Sequence, residues 1–166
     1  MEHVKVLRLA RCPITDEGIE HVGRLRALEE LDLNGCAGVS GAALGSVLQK
    51  LENLTSLDVS YCPGILRLSW QGKINGLKSL ELCYSGVRDA HLSRLNHLPA
   101  LEELNLDSCP VGDWAIAHLS DGVVPNLTAL DLADTDVTDT GMAHISKFTK
   151  MTRLSLFYCN ISNAGL

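Results

Sequence analysis

The most reactive side chain in this sequence is cysteine, because thiolates serve as nucleophiles, metal ligands and disulfide partners. The chain has six cysteines, and none forms the CxxC spacing of zinc or redox motifs. Five recur at one position of a repeated pattern, where serine or threonine stands in the other two copies: Cys12, Cys36, Cys62, Cys109 and Cys159, with Ser85 and Thr135. This exchange predicts small side chains that donate hydrogen bonds to loop backbone. We expect free thiols and a reducing compartment.

Cys83 does not follow this pattern. In the segment LELCY it falls on the outward alternation of a predicted strand. Two interpretations stay open: a tolerated small residue, or an accessible thiol at a binding surface.

Three histidines recur at one predicted helical position, namely His21, His118 and His144. Repetition of a family position explains them better than metal binding, so we expect no metal site and no cofactor. The sequence also has no HExxH motif, no glycine-rich phosphate loop and no Ser/His/Asp arrangement. We therefore expect no enzymatic activity within these residues.

Three N-x-S/T sequons, at Asn53, Asn126 and Asn160, hint at secretion. Asn53 and Asn126, however, directly precede core leucines in the repeated segment NLT, where a turn role explains them. The N-terminus carries no signal-peptide pattern. We favour a cytoplasmic, intracellular protein.

A repeat positions all of these residues. The template L-x-x-L-x-L-x-x-C-x-(x)-I occurs seven times at steps of 23 to 26 residues, beginning at Val4, Leu28, Leu54, Leu77, Leu101, Leu127 and Met151. L-x-L alternation is typical of a half-buried strand, and the apolar offsets that follow indicate one face of a short helix. This is the leucine-rich repeat signature. It predicts an α/β fold: a right-handed solenoid with a parallel sheet on the concave face and short helices outside.

The helical halves begin at recognisable signals. Serine or threonine occupies the expected N-cap in four repeats, at Thr15, Ser40, Thr138 and Ser162, whereas Arg88 and Gly112 occupy it in two others. Aspartate follows several of these caps, at the positive end of the predicted helix. The third repeat deviates, because LRLSWQGKING is short, contains two glycines and has Trp70 at the usual aliphatic place. We expect an irregular or single-turn segment there.

The strand register predicts which side chains line the concave face. Eight acids fall there on five adjacent strands: Glu30, Asp32, Asp58, Glu81, Glu103, Asp107, Asp131 and Asp134. Asn105 and Cys83 share these rows, arginines occupy both ends, and Tyr61, Tyr84 and Tyr158 fall at one rim. Neighbouring strands lie about 4.8 Å apart, so like charges stand side by side at a cost in stability.

Two interpretations of these acids remain. The concave face binds a basic protein segment, with the rim tyrosines as anchors. Alternatively, repeat duplication copied one aspartate and solvent tolerates the charge. Stacked carboxylates can also hold Ca²⁺, but the EF-hand loop pattern is absent from the sequence.

The segments LDLNGC, LNLDSC, ITDEGI and VTDTGM resemble the cysteine-containing subclass of leucine-rich repeats, best known from substrate receptors of F-box ubiquitin ligases. The resemblance covers all seven repeats. It implies protein–protein recognition through the concave face and supplies no catalytic residues. Several repeats here are shorter than that subclass's usual length, and the sequence contains no F-box or RING segment.

Composition sets the outer limits. The 166 residues suit one domain spanning 1–166, and a net charge of −6 disfavours nucleic acid or anionic membrane partners. Neither end has a recognisable polar cap, so we expect a fragment of a longer repeat protein. The favoured function is a scaffold for a protein partner with a basic segment. The alternative is the substrate-recognition arm of a ubiquitin ligase complex whose catalytic or adaptor module lies outside this chain.

Overall fold

The computed structural model describes residues 3–67, 74–95 and 97–166. These residues contain seven three-residue strands in one parallel sheet, in the order in which they occur along the chain. The strands are β1 (Val6–Arg8), β2 (Glu30–Asp32), β3 (Ser56–Asp58), β4 (Ser79–Glu81), β5 (Glu103–Asn105), β6 (Ala129–Asp131) and β7 (Arg153–Ser155). The predicted strand register and solenoid are confirmed.

Helical segments connect the strands on the opposite layer. They are α1 (Asp16–Val22), α2 (Gly41–Leu48), a 3₁₀ turn (Pro63–Arg67), α3 (Asp89–Leu92), α4 (Asp113–His118) with a π-helical continuation (Leu119–Val123), and α5 (Asp139–Ile145). Most of the segment that the sequence predicts to be irregular, residues 66–76, lies outside the described residues, and so does Trp70.

Leucine packs between the two layers because each strand turns one side chain inward and the next outward. Leu31 and Leu33 are buried on either side of the half-buried Asp32. Ile19 and Val22 supply the matching buried face of α1. No single repeat encloses this core, so stability comes from stacking against neighbours.

Hydrogen bonds connect the cap positions of four repeats to the repeat that precedes each of them. We call Asp16, Asp89, Asp113 and Asp139 the helix-start aspartates. Each accepts a hydrogen bond from a backbone N–H at the cap of the following repeat, at 2.6 to 2.8 Å. Asp113 also accepts from the Thr138 hydroxyl (2.7 Å), and Asp139 from that of Ser162 (2.6 Å). The aspartate therefore joins two repeats, beyond the helix-dipole role that the sequence indicates.

The predicted N-caps behave unequally. Ser40 accepts a hydrogen bond from the backbone N–H of Ala43, and Thr138 accepts one from Thr140. Ser162 accepts one from Ala164. Thr15 is the N-cap residue of α1, as the sequence predicts, but its side chain makes no capping hydrogen bond.

Candidate interaction surface

The exposed face of the sheet consists of columns of aligned side chains. Its central row consists of the last residue of each strand. Strand pairing places Asp32 beside Asp58, and Glu81, Asn105 and Asp131 follow along the row. These five side chains are half-buried. The preceding row brings Glu30 and Glu103 to the same face, and both are exposed. Strand pairing therefore aligns six of the eight predicted acids along the exposed face of the sheet.

Most of the central row also has a structural task. One carboxylate oxygen of Asp32, Asp58 and Asp131 accepts the backbone N–H two residues further on, at 2.8 to 3.0 Å. The side-chain oxygen of Asn105 does the same at 2.8 Å. Such Asx turns end each strand locally. The sequence interpretation missed this role. The signal for it is an aspartate or asparagine at the end of four of the seven strands.

Glu81 departs from this arrangement. Burial raises the pKa of its carboxyl above the ordinary value, a hydrogen bond with Asn105 opposes that rise, and the nearby charges of Asp58, Glu103 and Asp131 add to it. The centre of the row is thus a place where a further negative charge is unfavourable.

Arginines pair with acids at both ends of the sheet. Arg8 lies 3.5 Å from Glu30, and Arg153 contacts Glu103 across the intervening strand. Two grooves run along the face between these pairs. A groove of about 230 Å³ follows the first strands, and one of about 510 Å³ follows the last, with Glu81 lining both.

A strand-end row borders the acidic face. Its members are the residues three positions beyond each strand, and all have positive φ, between 50° and 72°: Arg11, Gly35, Tyr61, Tyr84, Ser108, Asp134 and Tyr158. Each except Tyr158 donates its backbone N–H to a carbonyl of the next repeat. This bond fixes the turn and turns the side chain outward.

Aromatic rings project from this row. Tyr61 and Tyr84 are half exposed and stack with 4.9 Å between ring centroids and 10° between planes. Tyr158 stands apart from that pair and packs against Phe157, with 4.3 Å between the ring centroids. The structure therefore brings two of the three predicted rim anchors together.

The Cys83 thiol borders the same region. It is half-buried, and its Sγ donates to Oδ2 of Asp107 at 3.4 Å. Burial, followed by this bond and the charge of Asp107, raises the pKa of Cys83 to about 12. A thiol that stays protonated is a poor nucleophile. The structure thus favours the interpretation of Cys83 as a tolerated small residue.

Comparison with known proteins agrees with this architecture. The family model "Leucine Rich repeat" matches residues 1–22, 125–146 and 149–166. The matched segments are leucine-rich repeats, and the described residues have the fold of a leucine-rich repeat protein. The matches do not bear on the F-box subclass that the cysteine position resembles.

Two solved structures share the fold of this leucine-rich repeat chain. Internalin C2 from Listeria monocytogenes superposes with a TM-score of 0.72 at 23% identity, over 96% of this chain and 64% of that one. A chain of the yeast Rad7 and Elc1 complex gives 0.74 at 21% identity, over 94% and 43%. At these identities the likeness concerns the fold alone.

A sequence relative covers less. "Distal membrane arm assembly component 2" from Drosophila melanogaster is 35% identical over 86 residues, which is 51% of this chain and 29% of that protein. The chain thus spans under a third of this relative's length. Among the helices of the described residues, none is long and apolar enough to cross a membrane.

The repeat's cysteine position has the hydrogen-bonding role that the sequence predicts. The Sγ atoms of Cys36, Cys62, Cys109 and Cys159 each donate to a leucine carbonyl of the preceding repeat, at 2.9 to 3.1 Å. Thr135 instead donates to Leu132 within its own repeat, at 2.7 Å. All six cysteines are free thiols. Cysteine thus connects repeats, whereas threonine closes a local turn.

Two of the sequon asparagines and one of the repeated histidines contact backbone carbonyls of the preceding repeat, whereas the buried Nδ1 of His144 has no hydrogen-bond partner among the described residues. The side-chain amides of Asn53 and Asn126 donate to the carbonyls of Arg26 (2.9 Å) and Pro99 (2.6 Å) in the preceding repeat. Nε2 of His118 lies 3.3 Å from the Leu95 carbonyl. Within residues 3–67, 74–95 and 97–166, no three histidine, cysteine or acidic side chains are grouped to hold a metal ion.

Proposed function

We propose that this leucine-rich repeat chain is a protein-interaction module that binds a basic segment of a partner through its acidic concave face. Leucine-rich repeat proteins are typically binding scaffolds rather than enzymes, and the proposal assigns no catalytic step to the chain. The observation that carries it is the contrast between Asn105 and the three aspartates of the same row, Asp32, Asp58 and Asp131. Asn105 forms the Asx turn without a charge. The turn therefore explains an Asx residue, but not the repeated negative charge.

That charge has a cost that the fold recovers only in part. Asn34 donates its side-chain amide to Oδ2 of Asp58 at 3.3 Å, and arginines pair with Glu30 and Glu103. Adjacent carboxylates at strand spacing repel by about 1 kcal/mol even in water. Burial is the first cause of the raised pKa of Glu81, and the charges of Asp58, Glu103 and Asp131 add to it. A basic segment would relieve this repulsion on binding, and complementary charge also speeds association.

The dimensions of the face fit a short extended peptide. Seven strands at about 4.8 Å spacing span roughly 29 Å, which is the length of about eight or nine extended residues. The two grooves lie along this span and are lined by Asp32, Asp58, Glu81 and Asp131. We therefore choose an octalysine peptide as the probe.

The test is fluorescence anisotropy with labelled octalysine at two salt concentrations. The double variant Asp58→Asn and Asp131→Asn keeps both Asx turns but removes two concave charges. We expect its affinity to fall about threefold to tenfold, with a weaker salt dependence, because each exposed ion pair contributes up to about 1 kcal/mol.

The matched control is the double variant Glu17→Gln and Glu20→Gln on α1, which makes the same change in net charge. We expect its affinity to stay near that of the original protein. Equal weakening of both double variants would reduce the effect to net charge. Absence of octalysine binding by the original protein would overturn the proposal.

A second candidate is the recognition arm of a larger assembly, with the working module elsewhere. The likeness of the cysteine position to F-box receptor repeats supports a ubiquitin ligase arm, and the 35% identity to an assembly component supports a role in building a complex. Capture from native lysate, with the Asp58 and Asp131 double variant as a control, separates the two by the proteins retained. Buried thiols that donate to backbone support a reducing, intracellular location.

A further inference from the structure

The Tyr61–Tyr84 pair is an exposed apolar feature that folding does not explain. Both residues adopt positive φ, a conformation that disfavours a side chain with a Cβ. Gly35 stands in the same row without that conflict. The two rings are half exposed and stack on each other, so they contribute little burial to the core. Side chains kept at strained, exposed positions are candidates for binding.

The stacked pair has a neighbour on each side in the strand-end row. The ring centroids are 4.9 Å apart, close to the spacing of adjacent strands, and the planes are nearly parallel. Gly35 is the next member of the row beside Tyr61, and Ser108 is the next member beside Tyr84.

The two sides of this pair differ in charge. On the Gly35 side, Cγ of Arg11 lies 3.1 Å from the place that a Cβ of Gly35 would occupy, so a basic side chain of the protein itself crosses that position. On the other side stands Ser108, whose hydroxyl donates to Asp107 at 2.8 Å and lies 3.5 Å from Oδ2 of Asp134. The Ser108 side of Tyr84 is thus bordered by the carboxylates of Asp107 and Asp134.

The space above Ser108 has the dimensions of a cation site. Tyr84 and Asp134 lie two strands apart, about 9.6 Å at ordinary strand spacing. A cation stacked on an aromatic face lies within about 6 Å of the ring centroid. An ion pair needs about 4 Å or less between nitrogen and oxygen. Ser108, the residue between them in the row, has a small side chain, and its hydroxyl lies 3.5 Å from Oδ2 of Asp134.

We propose that Tyr84, Ser108 and Asp134 form a subsite for one arginine side chain of the protein partner, with the guanidinium stacked on Tyr84 and its edge toward Asp134. A planar guanidinium both stacks on aromatic rings and donates in its own plane, whereas a lysine ammonium is a hydrated point charge. The subsite deepens the proposed function and rests on it. It lies at the rim, beside the grooves of the acidic face.

The direct test uses ¹⁵N-labelled protein and nuclear magnetic resonance titration with N-acetyl-arginine amide. The neutral comparison is N-acetyl-citrulline amide, which has nearly the same shape. We expect arginine to shift the backbone amides of Tyr84, Ser108 and Asp134, with citrulline giving much smaller shifts. Arginine shifts confined to other residues, or equal shifts with citrulline, would overturn the subsite.

Two variants identify the contacts, and each has a matched control in the same chain. Tyr84→Leu and Asp134→Asn should each weaken arginine amide binding about threefold to fivefold, the range of an exposed cation–π contact. Tyr158→Leu changes another exposed strand-end tyrosine, and Asp121→Asn changes an exposed aspartate outside the face. Both controls should bind as the original protein does. The spectrum of each variant reports whether it is folded.

The results separate this subsite from the function on which it rests. If Tyr84→Leu binds arginine amide unchanged while the Asp58 and Asp131 double variant loses octalysine, the subsite is wrong and the acidic face stands. If arginine amide maps to Tyr84 and Asp134 but octalysine does not bind, the face is wrong and the subsite stands.

Discussion

Aspartates occupy two regions of this solenoid and serve different ends. The helix-start aspartates receive hydrogen bonds from the next repeat, as when Asp139 accepts both the backbone N–H and the hydroxyl of Ser162. The central-row aspartates each accept a local backbone N–H, and Asp32 and Asp58 are neighbours across the sheet. The first set bonds the following repeat, whereas the second bonds its own strand end, with one further bond from Nδ2 of Asn34 to Oδ2 of Asp58.

The pKa values of a helix-start aspartate, Asp139, and of the central-row glutamate, Glu81, shift in opposite directions. The hydrogen bonds from Ser162 lower the pKa of Asp139, so its ionised form belongs to the folded state. Burial and neighbouring acids raise the pKa of Glu81, so ionisation there opposes folding. A charge that the fold stabilises needs no partner, and a charge that the fold tolerates is available to one. Net charge alone cannot separate these cases.

The largest expected effect is from removing a helix-start aspartate. Asp113→Ala leaves the backbone N–H and hydroxyl of Thr138 without the acceptors they have at 2.8 and 2.7 Å. We expect a loss of about 2 to 3 kcal/mol in the free energy of unfolding, since hydrogen bonds to charged groups contribute about 1.5 to 3 kcal/mol. Urea denaturation measures it.

The control for this change is Asp131→Asn in the central row. The amide oxygen keeps the bond to Ala133, as Asn105 does naturally for Asp107. We expect its unfolding free energy to change by no more than about 0.5 kcal/mol. Equal losses for the two variants would remove the distinction between the two regions.

A smaller effect should come from the glycine that makes room for the helix-start aspartate. A Cβ on Gly141 would lie 2.5 Å from Oδ1 of Asp113 and 2.7 Å from Cγ1 of Val137. Gly141→Ala should therefore cost about 1 to 3 kcal/mol, as overpacking does. Thermal and urea unfolding report the change.

Gly18 provides the opposite outcome at the same motif position. A Cβ there would meet only ordinary contacts, with Ile14 Cβ at 3.5 Å. Gly18→Ala should stabilise the protein by up to about 1 kcal/mol through helix propensity. If both glycines tolerate alanine equally, the aspartate does not dictate the T-D-x-G pattern.

Local periodicity made the strands, their register and the concave acids predictable. Leu31, Asp32 and Leu33 alternate within three residues, and seven copies fix the alignment of one strand on the next. These features depend on neighbours within one repeat, which a single sequence displays.

Contacts between repeats were not predictable in the same way. The Cys62 thiol bonds a carbonyl 29 residues earlier, and Asp113 bonds a residue 25 positions later. Such pairs depend on how far one coil is displaced on the next, which no local pattern encodes. Two further contacts likewise depend on neighbouring strands: the stacking of Tyr61 on Tyr84, and the hydrogen bond from the Cys83 thiol to Asp107.

The smallest and most discriminating expectation concerns pH. Because the folded pKa of Glu81 is raised, the folded protein holds that proton more tightly than the unfolded chain does. Its contribution to stability is complete below the ordinary value of 4.5 and is lost as the pH rises through the folded pKa. Glu81→Gln should therefore gain stability relative to the original protein between about pH 4 and 7.

Asp139→Asn should change in the other direction over the same measurements. The lowered pKa of Asp139 means that its contribution is present above the ordinary value of 3.8 and is lost as the pH falls. The variant should match the original protein in acid and fall behind it as the pH rises. Urea midpoints collected from pH 3.5 upward compare the two slopes. If the stability difference from the original protein changes with pH in opposite directions for the two variants, the charge of Asp139 serves the fold and the charge of Glu81 is only tolerated by it. If both differences change in the same direction, Asp139 and Glu81 belong to a single class.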